Sequence, residues 1–228
     1  MQILKKDKFI SNIIGHNSFI TTQIPKDEKI RGIKKPFFIT IKTKKKISLK
    51  KDKEYSIILN SRLVNFVRKF KKNLKVNTHC RLAKPQDKLQ LLKIVNEKNY
   101  NSRFLRDKLL SNKFKNKFKK FWILNYFKNK RGDFLAVSIK NKKILGFILL
   151  IKDRSFLRID LIQTGKKFQK RKVASSLINY ANNLYLRKDQ KIIAGTQQNN
   201  NIALKMYKKL GFKRYGKPIY VYHLHNKT

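Results

Sequence analysis

The chain of 228 residues is long enough for one large domain or two small ones with a hydrophobic core. Its 41% hydrophobic and 11% aromatic content excludes a disordered polyelectrolyte, although 58 basic residues stand against only 12 acidic ones. The formal net charge of +46 is typical either of a nucleic-acid-binding protein or of a compositional bias toward lysine. Lys outnumbers Arg 46 to 12 and is spread along the chain, whereas phosphate and base recognition usually recruits Arg. We therefore favour the bias and expect no specific nucleic-acid partner.

Cysteine and histidine usage bears on the compartment and on metal binding. The single cysteine, Cys80, excludes an intramolecular disulfide and is typical of a reducing compartment. The four histidines are scattered without metal-ligand spacing, so no metal is predicted. No apolar run approaches the roughly 18 residues of a membrane span, and the N-terminus shows no export signal. The sequence predicts a cytoplasmic protein without a membrane span.

The first third of the chain is predicted to be a small α/β domain, residues 1–75. Strands are expected at 35–42 and 54–60. Residues 61–70 predict a helix, because Leu63, Phe66, Val67 and Phe70 share one helical face. A basic run at 68–77 places the boundary to a second domain, residues 76–228.

The second domain shows a steadier pattern of apolar spacing. Three consecutive strands joined by hairpins, followed by helix, strand, helix and two strands, predict an α/β protein of the mixed α+β kind. Its sheet is expected to be mostly antiparallel and flanked by helices. The predicted strands are 78–83, 133–140, 144–153, 156–163, 191–196, 211–216 and 219–225, and the predicted helices are 84–99, 114–127, one opening within 170–177, and 201–210.

The connection from the third strand of the meander to the next helix is typical of an anion site. A helix start presents unpaired N–H groups and about half a positive charge, and small side chains let a phosphate approach. An ordinary amphipathic helix with a solvated basic start fits the same residues. The cations here are Lys170, Arg171 and Lys172, and the small residues are Ala174, Ser175 and Ser176.

The last predicted helix has one apolar face that a core stripe would also explain. Gly211 follows it and suits a left-handed exit from the helix. The face is formed by Ala203, Met206, Tyr207 and Leu210.

Together these two stretches resemble the GNAT acyl-CoA N-acyltransferases over residues 78–225. The family's pyrophosphate loop, Gln/Arg-x-x-Gly-x-Gly/Ala, is matched from Gln169 to Ala174, with Lys172 in place of the first Gly. The second family pattern is matched by Asn200, Ala203, Tyr207, Gly211 and Phe212. The resemblance implies a GNAT fold preceded by a smaller N-terminal α/β domain.

A further stretch looks like the TDP-fucosamine N-acetyltransferases, a branch that acts on nucleotide-linked amino sugars. The matching residues are Ser102, Arg103, Phe104, Asp107, Trp122, Asn125 and the Gly-Thr-Gln of 195–197. The implied reaction moves an acetyl group from acetyl-CoA to the amine of a nucleotide-linked amino-deoxysugar. The implied partners are acetyl-CoA and that sugar nucleotide, and a homodimer is considered as an assembly.

The resemblance also implies roles for particular residues. Tyr207 is the expected general acid toward the departing thiolate, with a core tyrosine as the alternative. Lys172 either donates its amide, at a negative φ, and its ammonium to phosphate, or marks a weakened site. The expected acetyl-CoA-binding set is Ile162, whose neighbourhood offers an oxyanion-binding N–H, with Gln169, Lys170, Arg171, Lys172, Val173, Ala174, Ser175 and Asn200.

Two points stay open in the sequence. Asp160 could relay a proton from the acceptor or pair with Arg158, and we favour the ion pair. The fold does not fix the acceptor, so a protein or peptide N-acetyltransferase and a catalytically inactive basic nucleic-acid-binding module are the rival functions.

Overall fold

The computed structural model describes residues 4–48, 52–96 and 103–226. Within these ranges the chain forms ten strands and seven helices. The strands are β1 (Lys5–Lys6), β2 (Asn17–Thr21), β3 (Phe37–Thr43), β4 (Tyr55–Lys69), β5 (His79–Leu82), β6 (Phe134–Lys140), β7 (Lys143–Lys152), β8 (Phe156–Thr164), β9 (Lys191–Gln197) and β10 (Lys213–Asn226). The helices are α1 (Lys8–Ile14), α2 (Asp27–Arg31), α3 (Lys88–Asn96), α4 (Arg103–Arg106), α5 (Asn112–Phe127), α6 (Val173–Tyr185) and α7 (Asn201–Lys209).

All ten strands belong to one sheet, in the order β1-β2-β3-β10-β4-β9-β8-β7-β6-β5. Only β2–β3 and β8–β9 pair in parallel, so the sheet is mostly antiparallel, as predicted. Helices cover both faces of its central strands, which is why β7 reads as a continuous apolar run. Phe147 and Leu149 of β7 pack with α3 and α5, whereas Ile148 and Leu150 pack with α6. The predicted α/β class is confirmed.

Residues 61–70 form a strand, so the predicted helix at this place is wrong. They belong to β4, which pairs with β9 on one edge and with β10 on the other. Val64 and Phe66 are 3% and 4% exposed and alternate with more exposed neighbours, as in a strand. The apolar spacing suits either period, and backbone pairing on both edges decides in favour of the strand.

The chain's end also differs from the prediction, because the two expected strands are one. β10 continues through a bulge between Tyr215 and Ile219, where Gly216 has φ +66°. A glycine tolerates that left-handed backbone, so the strand bends without ending. The predicted left-handed exit at Gly211 is confirmed by its φ of +78°.

Strands on the two sides of the predicted domain boundary share one sheet, since β10 pairs with both β3 and β4. The segment after β4 runs along α6 and is held there by side-chain amides. Asn179, Asn182 and Asn183 donate to the carbonyls of Lys75, Lys71 and Leu74 at 2.7–2.8 Å. The division into residues 1–75 and 76–228 stays a prediction.

In the part of the chain that the structure describes, no helix combines the length and the apolar character needed to cross a lipid bilayer.

Candidate active site

The sheet opens between β8 and β9. These strands pair only as far as Ile159 and Ala194, and beyond that point β8 follows β7 while β9 follows β4. A register shift contributes to the opening, since Leu149 faces Leu161 and Leu150 faces Ile159, which leaves Asp160 as a bulge. Past Ile159, the β8 edge toward β9 has no ladder partner among the described residues. Backbone N–H groups on that edge can therefore bind a ligand oxygen.

A cavity of about 510 Å³ occupies this opening. Residues 159–163 of β8, residues 195–197 of β9 and Tyr207 of α7 line it, together with Lys119 and Trp122 of α5. The start of the chain supplies a further side, which we call the N-terminal wall. The N-terminal wall consists of Asp7, Phe9, Ile10, Ile20 and Lys42.

The start of α6 offers backbone donors for an anion. Lys172 is the N-cap residue, and its carbonyl accepts from the Ser176 N–H at 2.9 Å. No side chain of the described residues caps the first turn, so its N–H groups can bind a ligand. The Ser175 hydroxyl donates to the Lys172 carbonyl at 2.8 Å. A second cavity of about 720 Å³ adjoins this helix start and is lined in part by Arg171 and Val173.

The negative φ under which Lys172 was considered as an amide donor is not adopted. Lys172 has φ +58° and Lys170 has φ +62°, so both adopt the left-handed conformation. The loop keeps the left-handed backbone conformation that glycine favours, although a lysine occupies the position. A side chain in this conformation costs about 1 kcal/mol relative to glycine.

Tyr207 lies on the inner face of α7 and is only 3% exposed. Its ring stacks on Phe66 with a centroid distance of 5.4 Å and contacts Phe212 at 5.2 Å. Burial raises the pKa of Tyr207 well above its ordinary value, so the hydroxyl keeps its proton at neutral pH. A buried phenol that borders a cavity can act as a proton donor.

Arg68 fixes the helix that carries Tyr207, a contact that the sequence did not reveal. Its Nη1 donates to the Leu210 carbonyl at the end of α7 at 3.0 Å, and its guanidinium lies 4.9 Å from the Phe212 ring centre. Arg68 is 4% exposed, and burial lowers its pKa to about 10. The sequence predicted a helix for residues 61–70, so the inward direction of the Arg68 side chain was not predicted.

The family model for the acetyltransferase (GNAT) domain matches residues 95–225, more than half of the chain. The chain belongs to the GNAT acetyltransferase family. It is accordingly an acyltransferase that uses acetyl-CoA as co-substrate. No curated protein sequence matches the chain.

Solved structures share the GNAT fold of this acetyltransferase at low sequence identity. A conserved protein of unknown function from Staphylococcus epidermidis ATCC 12228 superposes with a TM-score of 0.63 at 12% identity, covering 100% of this chain and 93% of its own. A GCN5-related N-acetyltransferase from Sphaerobacter thermophilus has a TM-score of 0.53 at 14% identity, covering 87% of this chain and 63% of its own. At such identities the comparison shows the fold alone.

In this GNAT acetyltransferase the predicted site residues fall into two groups. Ile162, Asn200 and Tyr207 border the 510 Å³ cavity. Asn200 also caps α7, because its Oδ1 accepts from the Ala203 N–H at 3.2 Å. The roles of both groups stay predictions. The second group lies at the start of α6 and comprises Gln169, Lys170, Arg171 and Lys172, which are exposed, the partly exposed Ala174 and Ser175, and the buried Val173.

The residues that suggested a sugar-nucleotide acceptor are spread over three places. Arg103, Phe104 and Trp122 line the cavity, and Asn125 lies farther along α5. Asp107 lies in a buried polar cluster. Ser102 lies outside the described residues.

Asp160 pairs with Arg131, so the favoured pairing with Arg158 is wrong. Arg131 binds it through two hydrogen bonds, Nε to Oδ2 at 2.9 Å and Nη2 to Oδ1 at 3.0 Å. Trp122 Nε1 and the Tyr126 hydroxyl donate to the same Oδ2 at 2.7 Å and 2.9 Å. These four hydrogen bonds on one carboxylate make Asp160 a firm anchor for the cavity wall.

A buried cluster of Asp107, His223 and His225 lies behind Phe104. His223 Nδ1 and His225 Nε2 lie 2.6 Å and 2.8 Å from Asp107 Oδ2, so these histidines are brought together although their sequence gave no such sign. Burial alone would raise the pKa of Asp107, but the two histidine hydrogen bonds outweigh it and hold that pKa well below its ordinary value. Each of the two histidine nitrogens needs its proton in order to donate to Asp107. The cluster is therefore a hydrogen-bonded network, although the three side-chain atoms that could serve as metal ligands lie within 4.8 Å of one another.

Replacing Lys172 by Gly should raise the free energy of unfolding by about 1 kcal/mol, because glycine adopts the left-handed conformation without strain. Urea unfolding measures this effect, and Lys167→Gly, at a position without positive φ, should give no gain. Calorimetry with CoA then separates the two roles of Lys172. Weaker binding assigns its ammonium to phosphate, whereas unchanged binding shows a tolerated side chain. A lower free energy of unfolding in Lys172→Gly than in the wild type would contradict the backbone strain inferred at Lys172.

The His223 cluster should make the protein less stable as the pH falls below 6.5. Burial lowers the pKa of His223 to about 4, whereas histidine in the unfolded chain titrates near 6.5. The unfolded chain therefore binds the extra proton in this window, and each pH unit costs up to about 1.4 kcal/mol. Urea unfolding between pH 6.5 and 5 measures the slope. His223→Asn keeps a donor toward Asp107 and cannot titrate, so an equally steep slope in that variant would disprove the assignment.

Proposed function

We propose that this GNAT acetyltransferase moves the acetyl group of acetyl-CoA to the amine of a nucleotide-linked amino-deoxysugar, with Tyr207 as general acid. The observation that carries the acceptor assignment is the charge of the cavity. Lys42, Arg103 and Arg131 bring positive charge to its lining, and Asp160 is already bound by Arg131. The remaining carboxylate, Asp7, accepts from the Ile10 N–H at the start of α1.

Arg103 adds to this argument. Its Nε is sealed from solvent and has no hydrogen-bond partner among the described residues. Arg103 also borders the cavity, where its guanidinium would donate charge-assisted hydrogen bonds to a phosphate oxygen. A polyamine or a cationic peptide would instead add positive charge to a cavity that already has an excess of it.

The proposed reaction uses the two features on either side of the cavity. The acceptor amine attacks the thioester carbonyl, and backbone N–H groups of β8 near Ile162 stabilise the developing oxyanion. The carbon–sulfur bond then breaks, the Tyr207 hydroxyl protonates the thiolate, and the proton that the amine loses on forming the amide restores the Tyr207 hydroxyl. Because Asp160 is saturated by four donors, the acceptor enters as the neutral amine, which the positive lining favours over the ammonium.

A panel of acceptors tests the proposal. CoA release is measured with TDP-fucosamine, the free amino sugar, an N-terminal peptide and a polyamine. We expect kcat/KM to be at least about tenfold higher for the sugar nucleotide than for the free sugar, because the diphosphate supplies charge-assisted hydrogen bonds. Faster transfer to the peptide or the polyamine would overturn the acceptor assignment.

A bulky side chain in the first turn of α6 should block the phosphates of CoA. Ser175→Leu is expected to weaken CoA binding by about tenfold or more, since the side chain occupies the approach to the N–H groups. Ser175→Ala removes the hydrogen bond to the Lys172 carbonyl without adding volume, and it should bind CoA nearly as the wild type does. Calorimetry with CoA measures the affinity of each variant. Equal affinities in Ser175→Leu and Ser175→Ala would place the phosphates elsewhere.

A further inference from the structure

Lys119 is a buried amine that the proposed reaction does not use. It lies on α5, is 7% exposed, and borders the same cavity as Ile162 and Tyr207. Aromatic side chains of Phe118 and Trp122 line the cavity beside it. Burial lowers the pKa of Lys119 to about 6, so at neutral pH most molecules carry a neutral amine at this position.

The other cavity nitrogens are in forms that do not attack carbonyls. Burial, with neighbouring charges, lowers the pKa of Lys42 only to about 8, which leaves it largely protonated at pH 7. Arg103 and Arg131 carry delocalised guanidinium groups, which are poor nucleophiles. Among the described cavity residues, Lys119 is thus the amine that is mainly unprotonated at neutral pH.

Lys119 and the groups proposed to hold the thioester line one and the same cavity of about 510 Å³. The acetyl group would lie between the β8 edge near Ile162 and the Tyr207 hydroxyl, and both border this volume. A lysine carries its amine on a flexible four-carbon stem, which lets the Nζ change position within the cavity.

We propose that Lys119 is a self-acetylation site, modified by acetyl-CoA bound in the enzyme's own active site when no acceptor is present. The Lys119 Nζ attacks the thioester carbonyl, a nitrogen–carbon bond forms, and the carbon–sulfur bond breaks. The thiolate takes a proton from Tyr207, the proton lost by the amine restores Tyr207, and CoA leaves as the free thiol. The inference rests on the proposed binding of acetyl-CoA, and it does not depend on which acceptor the enzyme uses.

Acetylation would change the lining of the cavity. The amine becomes a neutral amide that no longer accepts a proton, and the added acetyl group takes up part of the cavity volume. Transfer to the acceptor should therefore slow after the protein has been incubated with acetyl-CoA alone.

Peptide-mapping mass spectrometry after incubation with isotope-labelled acetyl-CoA, without acceptor, tests the proposal. Labelling of Lys119 should be at least about tenfold faster than labelling of Lys117, an exposed lysine on the same helix, because positioned groups react far faster than free ones. Excess CoA should protect Lys119 and leave Lys117 unaffected. Tyr207→Phe should slow labelling at Lys119 only.

Calorimetry of acetyl-CoA with the same protein separates the two levels of the argument. If acetyl-CoA binds and Lys119 is labelled no faster than Lys117, self-acetylation is wrong and the proposed transferase function stands. If acetyl-CoA does not bind, both fail. Labelling of Lys119 that persists in excess CoA, or that is unchanged in Tyr207→Phe, would assign it to chemistry outside the active site and overturn the proposal.

Discussion

Replacing Tyr207 by Phe is expected to lower kcat by about 100- to 10,000-fold while the affinity for acetyl-CoA changes little. The substitution removes only the hydroxyl, so the ring keeps its stacking on Phe66 and its contact with Phe212. The loss reflects the missing proton for the departing thiolate. Single-turnover transfer to the best acceptor of the panel measures it, with the melting temperature recorded alongside.

The matched control is Tyr185→Phe. Tyr185 lies on α6, stacks on Phe134, and has a buried hydroxyl without a hydrogen-bond partner among the described residues. Removing that hydroxyl should leave kcat unchanged and should not lower stability, because no hydrogen bond is lost. If Tyr207→Phe behaved like Tyr185→Phe, Tyr207 would be a core residue and the general acid would have to be sought elsewhere.

Asp160→Asn should lower the free energy of unfolding by about 3 kcal/mol. The carboxylate is 10% exposed and accepts four hydrogen bonds, and its loss leaves the guanidinium of Arg131 without its counter-ion. Removing one member of a buried ion pair typically costs about 3–5 kcal/mol, and the 31% exposure of the Arg131 side chain places this pair at the lower end.

Urea unfolding measures this loss, and Asp153→Asn, at an exposed carboxylate near the end of β7, should change stability by less than about 0.5 kcal/mol. The experiment also tests the chemistry of Asp160. A variant with unchanged stability and strongly reduced kcat would show that Asp160 accepts the acceptor's proton, contrary to its saturated hydrogen bonding.

Elements with strong apolar periodicity were predictable. The meander β6–β8 and the helices α5, α6 and α7 lie where the sequence places them, because each has its own period and clear turn residues. The strand assignment of residues 61–70 was not predictable from spacing alone. Leu63, Phe66 and Val67 fit a helical face, and only pairing with β9 and β10 excludes the helix.

The candidate site shows the same division. Tyr207 and the start of α6 follow from local sequence, since a helix fixes the direction of its own residues. The partner of Asp160 does not, because Arg131 lies 29 residues away in a loop whose course depends on the tertiary fold. His223 and His225 meet Asp107 across more than 100 residues, a contact for which the local sequence gives no signal.

The N-terminal wall has a consequence for how the enzyme could change its substrate. Its five residues precede the region that the family model matches, whereas Tyr207 and the start of α6 lie within it. Part of the cavity lining is thus encoded ahead of the family domain, while Arg103 and Arg131 contribute to the same lining from within it. Mutations in the first 45 codons can therefore reshape one side of this cavity while Tyr207 and the start of α6 are inherited unchanged.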